Sequence, residues 1–182
     1  MISMPAGPGF DPGGIGKGLA ADIVVDELRA EGAEGVCVNL GGDVRVEGTS
    51  PAGDAWTIAV EHPGSTTAIT RVGVQRGAVA TSTTLRRRWR AGDEPRHHLI
   101  DPATGRPSRT TLEFATVVAG HAWTAEVLAK TLVLRNVPPR FDDVDAAGAA
   151  ALTVDDDGHI TSSTGMHAFV AGPLPQDLAR AS

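Results

Sequence analysis

The tightest constraint in this sequence is a rhythm of short apolar or alternating runs, each stopped by a turn signal. Gly35–Leu40 is an apolar run of the length of a buried strand. Gly41-Gly42 turns it into Asp43–Gly48, where Val44 and Val46 alternate with Arg45 and Glu47. Residues 56–60 alternate again. Residues 69–75 and 78–82 predict a strand pair around Arg76-Gly77, and Leu112–Ala119 is rich in β-formers. Residues 151–154 and 159–163 flank Asp155-Asp-Asp-Gly158, a hairpin signature.

Two stretches break the rhythm with helical spacing. In residues 17–30, Leu19, Ile23 and Leu28 recur near one face, and Gly32 supplies a stop. Residues 123–134 predict a second helix, with Val127, Leu128, Thr131 and Leu132 as its inner face and Thr124 as its N-cap. A short helix is expected within 142–150. Strands outnumber helices and follow one another through short turns. The fold class expected is therefore α+β, a largely antiparallel sheet with two main helices. Neither an internal repeat nor a linker divides the chain, so 1–172 is read as one domain and 173–182 as a frayed C-terminal tail.

Bulk properties exclude several classes. The 182 residues suffice for a real core. A net charge of -6 gives no electrostatic reason to expect a nucleic-acid partner. No stretch is long and apolar enough to span a membrane as a helix. The first ten residues lack the pattern of a signal peptide, so the chain carries no export address and is cytoplasmic if Met1 is the genuine start. The single cysteine, Cys37, lies in an apolar run and is expected to be buried and inert. Arg86, Arg87, Arg88 and Arg90 crowd around Trp89, which fits a solvated loop or an anion-facing patch equally well.

Three constellations bear on chemistry. The run from Asp11 to Gly18 fails both common phosphate fingerprints: Gly14, Gly16 and Gly18 are too closely spaced for a dinucleotide motif, and Gly16-Lys17 is followed by glycine instead of Ser or Thr. What remains is a Gly-rich turn opening a helix, either a plain loop or an anion site built on helix-start amides and Lys17. The run from Arg96 to Gly105 places His97 and His98 beside Asp101. Its spacing is not a zinc pattern, and on a strand the two imidazoles point to opposite faces. One of them can serve as a general base or simply cap the turn. Glu126 and Lys130 stand four apart on the second helix, the spacing of an ordinary surface ion pair.

Taken in order, these segments resemble the ApbE family, the FAD:protein FMN transferases. Asp11-Pro-Gly-Gly-Ile-Gly-Lys-Gly-Leu-Ala-Ala-Asp22 is similar to the family's D-x-G-G-I-x-K-G-x-x-x-D. Asn39-Leu-Gly-Gly-Asp43 is similar to N-L-G-G-D/N, and Ala78-Val-Ala-Thr-Ser82 to A-V-A-T-S. His98-Leu-Ile-Asp-Pro-Ala-Thr-Gly105 is similar to H-I-I-D-P-x-T-G, and residues 125–130 fall where the family has A-D-x-x-x-T. The resemblance implies an ApbE-like fold that binds FAD in a cleft with Mg²⁺ at the pyrophosphate. It implies transfer of FMN to a Thr or Ser hydroxyl of an acceptor flavoprotein, with release of AMP. It assigns His98 as base, Asp11, Lys17 and the Ile100 backbone to FAD, and the Gly14 carbonyl with positions 126 and 130 to the metal. Two departures follow. Position 126 is Glu where the family has Asp, and position 130 is Lys where it has Thr. A protonated lysine cannot ligate a metal, but its ammonium can stand where a cation would. Family members also carry a stretch before the first motif that completes the FAD cleft and holds any export signal, and many act outside the cytoplasm. The chain is thus expected to be truncated at its N-terminus, with a non-catalytic FAD- or adenine-nucleotide-binding protein, or an incomplete fragment, as the alternative.

Overall fold

Residues 77–83 and 112–119 sort their side chains by size across the sheet that they form. Ala78, Ala80, Ala115, Val117 and Ala119 face one side, while Val79, Phe114 and Val118 face the other. Helices cover the small-residue face, because only there can a helix axis come close to the strands. This is a computed structural model describing residues 7, 11–65, 67–135 and 141–179.

In chain order the elements are α1 (Gly16–Ala30), β1 (Gly35–Leu40), β2 (Asp43–Gly48), β3 (Trp56–Glu61), β4 (Ala68–Val74), β5 (Gly77–Thr83), β6 (Arg88–Ala91), β7 (Glu94–His97), β8 (Ile100–Asp101), β9 (Arg106–Pro107), β10 (Leu112–Ala119), α2 (Ala122–Leu134), α3 (Asp142–Ala146), β11 (Ala150–Asp155), β12 (Ile160–Ser162) and a 3₁₀ turn at Thr164–Ala168. The main sheet has the order β1-β2-β5-β10-β11-β12. All its neighbouring pairs are antiparallel. The expected α+β class, with a largely antiparallel sheet and two main helices, is the one observed. Ribbons β3–β4, β6–β7 and β8–β9 stand apart from it.

The expected β4–β5 pair does not form. β4 pairs with β3, and β5 runs between β2 and β10. Gly77 makes the separation possible: its φ is +144°, and a Cβ there would lie 2.7 Å from the Ala119 carbonyl oxygen. The chain thus leaves the ribbon and enters the sheet at a point where no side chain fits. The ribbon packs Val60, Val72 and Val74 on the sheet face opposite the helices.

Helix α1 buries a stripe different from the one its apolar residues suggest. Gly18, Ala21, Asp22 and Val25 are buried, whereas Leu19, Ile23 and Leu28 are exposed. The decisive contact is at Gly18, where a Cβ would approach the Ala122 backbone to 2.5 Å. Close packing on α2 selects the small stripe over the apolar one. Gly32 ends the helix as expected, with φ +94°. Its N–H reaches the Arg29 carbonyl, and the Ala33 N–H reaches that of Leu28, the double closure of a Schellman turn. Along α2 the buried residues are Ala122, Ala125, Glu126, Ala129, Leu132 and Val133, so of the expected inner face only Leu132 is buried. The N-cap position is His121, without a side-chain bond, and Thr124 lies inside the first turn.

Two more expectations are corrected. Cys37 is exposed, because β1 is an edge strand with one face outward. On β2, by contrast, the charged Asp43 and Arg45 are buried. Leu174 and Leu178, within the segment read as frayed, pack on the valine-rich face. Their backbone is tied by bonds from Ile160 N–H to the Gln176 carbonyl and from Leu178 N–H to that of Gly158.

Candidate functional site

The Gly-rich run is a turn that delivers α1 to the top of α2. Asp11 Oδ1 accepts from the Gly13 N–H at 2.8 Å. The Pro12 carbonyl accepts from Ile15 and Gly16 N–H, at 3.0 and 2.7 Å. A helix start has orphan N–H groups, and α1 has no side-chain cap of its own. The partner comes from α2: Glu126 Oε2 accepts from Gly18 N–H at 2.8 Å. The debt is returned at the other end of the contact. Asp22 of α1 accepts from Ala122 and Trp123 N–H at the start of α2, at 2.9 and 3.0 Å. Each helix therefore caps its neighbour where Gly18 approaches the Ala122 backbone.

Lysines gather around the α1 start. Lys17 Nζ is ion-paired to Asp43, whose other oxygen accepts from Thr81 N–H at 3.3 Å. It also lies 3.8 Å from Glu126 Oε1. Lys130 Nζ donates to the Gly13 carbonyl, and a Cβ on Gly14 would lie 3.5 Å from the same ammonium. Glu126 and Lys130 thus reach different partners across the helix contact, so they are not a simple surface pair. Burial and the Lys17 charge push the Lys130 pKa down, against the pull of Glu126, Asp43 and Asp11, with burial the largest cause.

These groups open into a cleft lined by Asp11, Gly13, Gly14, Arg87, His98, Ile100 and Lys130. The structure thus brings Asp11, Gly14, His98, Ile100 and Lys130 together, with Lys17 and Glu126 joined to them through the ion pairs just described. His97 is turned elsewhere: its Nε2 is 3.1 Å from the Ser108 carbonyl oxygen, and its Nδ1 accepts from Leu99 N–H. His98 is free of such duties at Nδ1, which is buried and lacks a hydrogen-bond partner among the described residues. Its pKa is lowered, first by burial, then by Arg87, Lys130 and His97, while a hydrogen bond to the Arg86 backbone acts the other way. A neutral imidazole beside cationic side chains has the chemistry to accept a proton. Asp101 closes its own turn, accepting from Ala103 N–H and Thr104 Oγ1 at 2.9 and 3.0 Å.

Sequence reasoning passed over two members. Asp43 holds Lys17 in place, and its signal was its position at the end of Asn39-Leu-Gly-Gly-Asp43. Arg87 comes from the basic run, where the anion-facing alternative applies to this one residue; its φ of 49° marks a backbone held in the left-handed region.

The sequence profile of the ApbE family matches residues 3–141. The chain belongs to the ApbE family. It is 34% identical over 122 residues to the FAD:protein FMN transferase of Vibrio cholerae, covering 66% of this chain and 36% of that protein. Over 159 residues it is 28% identical to the FAD:protein FMN transferase of Haemophilus influenzae, covering 85% and 46%. The crystal structure of the ApbE protein of Thermotoga maritima superposes with a TM-score of 0.81 at 30% identity, over 89% of this chain and 53% of that one. The flavin transferase ApbE from Vibrio cholerae gives a TM-score of 0.73 at 29% identity, over 88% and 52%. The chain therefore spans about half the length of the solved ApbE structures and less than half of these curated relatives.

Gly14, Glu126 and Lys130 stand where the ApbE resemblance implies the donors to Mg²⁺. Divalent magnesium takes carboxylates, carbonyls and water in a near-octahedral shell. Here Glu126 is committed to Gly18, and the side chain at position 130 is an ammonium that already holds the Gly13 carbonyl. Among the described residues, no three His, Cys, Asp or Glu side chains cluster as a metal site. Gly14, Glu126 and Lys130 do not fit as a divalent-metal shell, and Lys130 cannot be a ligand while protonated.

Proposed function

We propose that this chain carries the FAD-binding and base-bearing part of a flavin transferase that moves FMN from FAD to a Thr or Ser hydroxyl of an acceptor flavoprotein. The observation supporting the reading is His98, an imidazole biased to neutrality, in one cleft with Lys130 and the Gly-rich turn before α1. Relatives 34% and 28% identical to this chain are named FAD:protein FMN transferases.

In the proposed step the acceptor oxygen forms a bond to the phosphorus on the FMN side of the pyrophosphate. The bond from that phosphorus to the bridging oxygen breaks, and its electron pair leaves with AMP. His98 takes the hydroxyl proton as the new bond forms. The developing charge faces Lys130, Lys17 and Arg87, preplaced by the Gly13 carbonyl, Asp43 and the 86–90 segment. Asp11 and the Ile100 backbone edge the cleft, where they suit the nucleotide's polar groups. Mg²⁺ belongs to the family resemblance, but the residues present here do not match its donor preferences.

The test is to incubate the protein with FAD and an acceptor flavoprotein or peptide carrying the target Thr, then weigh the acceptor by mass spectrometry. An FMN adduct that disappears in His98→Ala supports the reading. A chain that binds FAD tightly yet leaves every acceptor unmodified points to the second reading, a nucleotide-binding ApbE-like protein without transfer. That reading draws on one observation: the side chain at position 130 is an ammonium that already holds the Gly13 carbonyl, where the family resemblance places a Thr.

A further inference from the structure

We infer that the Lys130 ammonium is a built-in cation that contacts the FAD pyrophosphate and makes binding at this site independent of a divalent metal. The inference rests on the FAD reading above and goes beyond it. Three observations carry it.

The first is position. Lys130 Nζ is held on the Gly13 carbonyl and lies beside Gly14, on the wall of the cleft that contains His98 and Asp11. A cation bridging the Gly-rich turn and α2 is therefore present as part of the fold. The second is the state of the neighbouring carboxylate. Glu126 has one oxygen on Gly18 N–H and the other facing Lys17 at 3.8 Å. It is spent on the helix contact and on a lysine, so the carboxylate at position 126 is turned away from a metal role. The third is local charge. Lys17 is taken up by Asp43 and faces Glu126, whereas Lys130 and Arg87 share the cleft with the single carboxylate Asp11. A divalent ion placed against Lys130 would meet like charge at contact distance, whereas a pyrophosphate would meet complementary charge.

Lysine differs from a bound metal in a way that can be measured. Its charge does not wash out under chelation, and it is lost by one substitution. FAD binding is followed by flavin fluorescence and by titration calorimetry, first in EDTA and then in saturating MgCl₂. The expected result is the same Kd in both, with no Mg²⁺ binding heat in the FAD-loaded protein. Lys130→Met keeps the aliphatic stem and is expected to weaken FAD roughly tenfold or more in EDTA, the loss of one charge-assisted contact. Lys130→Thr is expected to lose the same affinity in EDTA and to regain part of it when Mg²⁺ is added. Thermal melts of the variants confirm that they fold. If the wild-type chain binds FAD only when Mg²⁺ is added, the inference is overturned while the FAD reading stands. If it binds FAD in neither buffer, the FAD reading itself falls and takes this inference with it.

Discussion

Asp22 and Glu126 do the same job at opposite ends of one helix contact, and what surrounds them makes one structural and the other part of a site. Each carboxylate satisfies the N-terminal amides of the other helix. Asp22 is closed off by a buried arginine: Arg45 Nε bonds Asp22 Oδ1 at 3.0 Å, and its other nitrogens reach the Val46 and Gly77 carbonyls and Glu47. Glu126 faces a lysine instead, one that is partly exposed and shared with Asp43. An arginine fork in the interior fixes geometry with all three of its nitrogens bonded. A lysine at a cleft edge leaves charge available to a ligand. The same capping device therefore anchors the fold at one end and borders the Lys130 cleft at the other.

The sharpest way to break this comparison is to remove the closed end. Asp22→Ala leaves Arg45 with less counter-charge and two amides at the start of α2 without acceptors. A loss of about 3–5 kcal/mol is expected in urea unfolding at neutral pH, the cost of opening a buried ion pair from one side. A loss under about 1 kcal/mol, the scale of an exposed pair, would place Asp22 on the same footing as a surface carboxylate.

Gly18 lies between the two carboxylates, so it tests both at once. Gly18→Ala puts a Cβ within 2.5 Å of the Ala122 backbone, which no rotamer change can relieve. The helices must separate, with an expected cost of about 1–3 kcal/mol. Because Gly13 and Lys130 belong to the same contact, FAD affinity should fall along with stability. Full retention of both would mean that the close approach does not hold the cleft in register.

Why this contact escaped sequence reasoning is physical. Strand limits were legible because Gly41 and Gly42, at φ +66° and +102°, and the Asn39 side chain that bonds Gly42 N–H, are local turn chemistry. Burial of Arg45 was not legible, because a charge in an alternating strand predicts a solvated face unless its partner is known, and Asp22 lies 23 positions away. The buried face of α1 was misjudged for a related reason: apolar periodicity pointed to Leu19, Ile23 and Leu28, but close packing chose the face with Gly18. In the candidate site, Asp11, His98 and Lys130 are too far apart in the chain for spacing to join them. Only the order of the motifs suggested one cleft, and Arg87, buried in a run of like residues, carried no mark of its own.

Glu126→Gln sharpens the comparison from the open end. The amide oxygen can still accept from Gly18 N–H, and Lys17 keeps Asp43. Only the charge is lost, so a change in unfolding free energy of about 1 kcal/mol or less is expected. If Glu126→Gln were as costly as Asp22→Ala, the claim that the two ends differ would fail.

The smallest effect is a shift in protonation at the cleft. Burial, Arg87 and Lys130 hold His98 below the ordinary imidazole pKa. As a base it works only when neutral, so the transfer rate should rise as pH climbs through this lowered value and level off above it. The acid limb should accordingly lie on the low side of a free histidine's. Arg87→Gln removes one of the positive neighbours, which makes protonation easier and moves the pKa up, so the acid limb should shift toward higher pH. NMR titration of the His98 ring gives the same quantity without needing an acceptor. An unmoved or lowered pKa in Arg87→Gln would separate Arg87 from the base and leave it a wall residue only. An upward shift common to the ring titration and the rate profile would tie the base, the cations and the α1 start into one electrostatic unit, while the Asp22 end, whose charges face only each other, should leave both curves where they are.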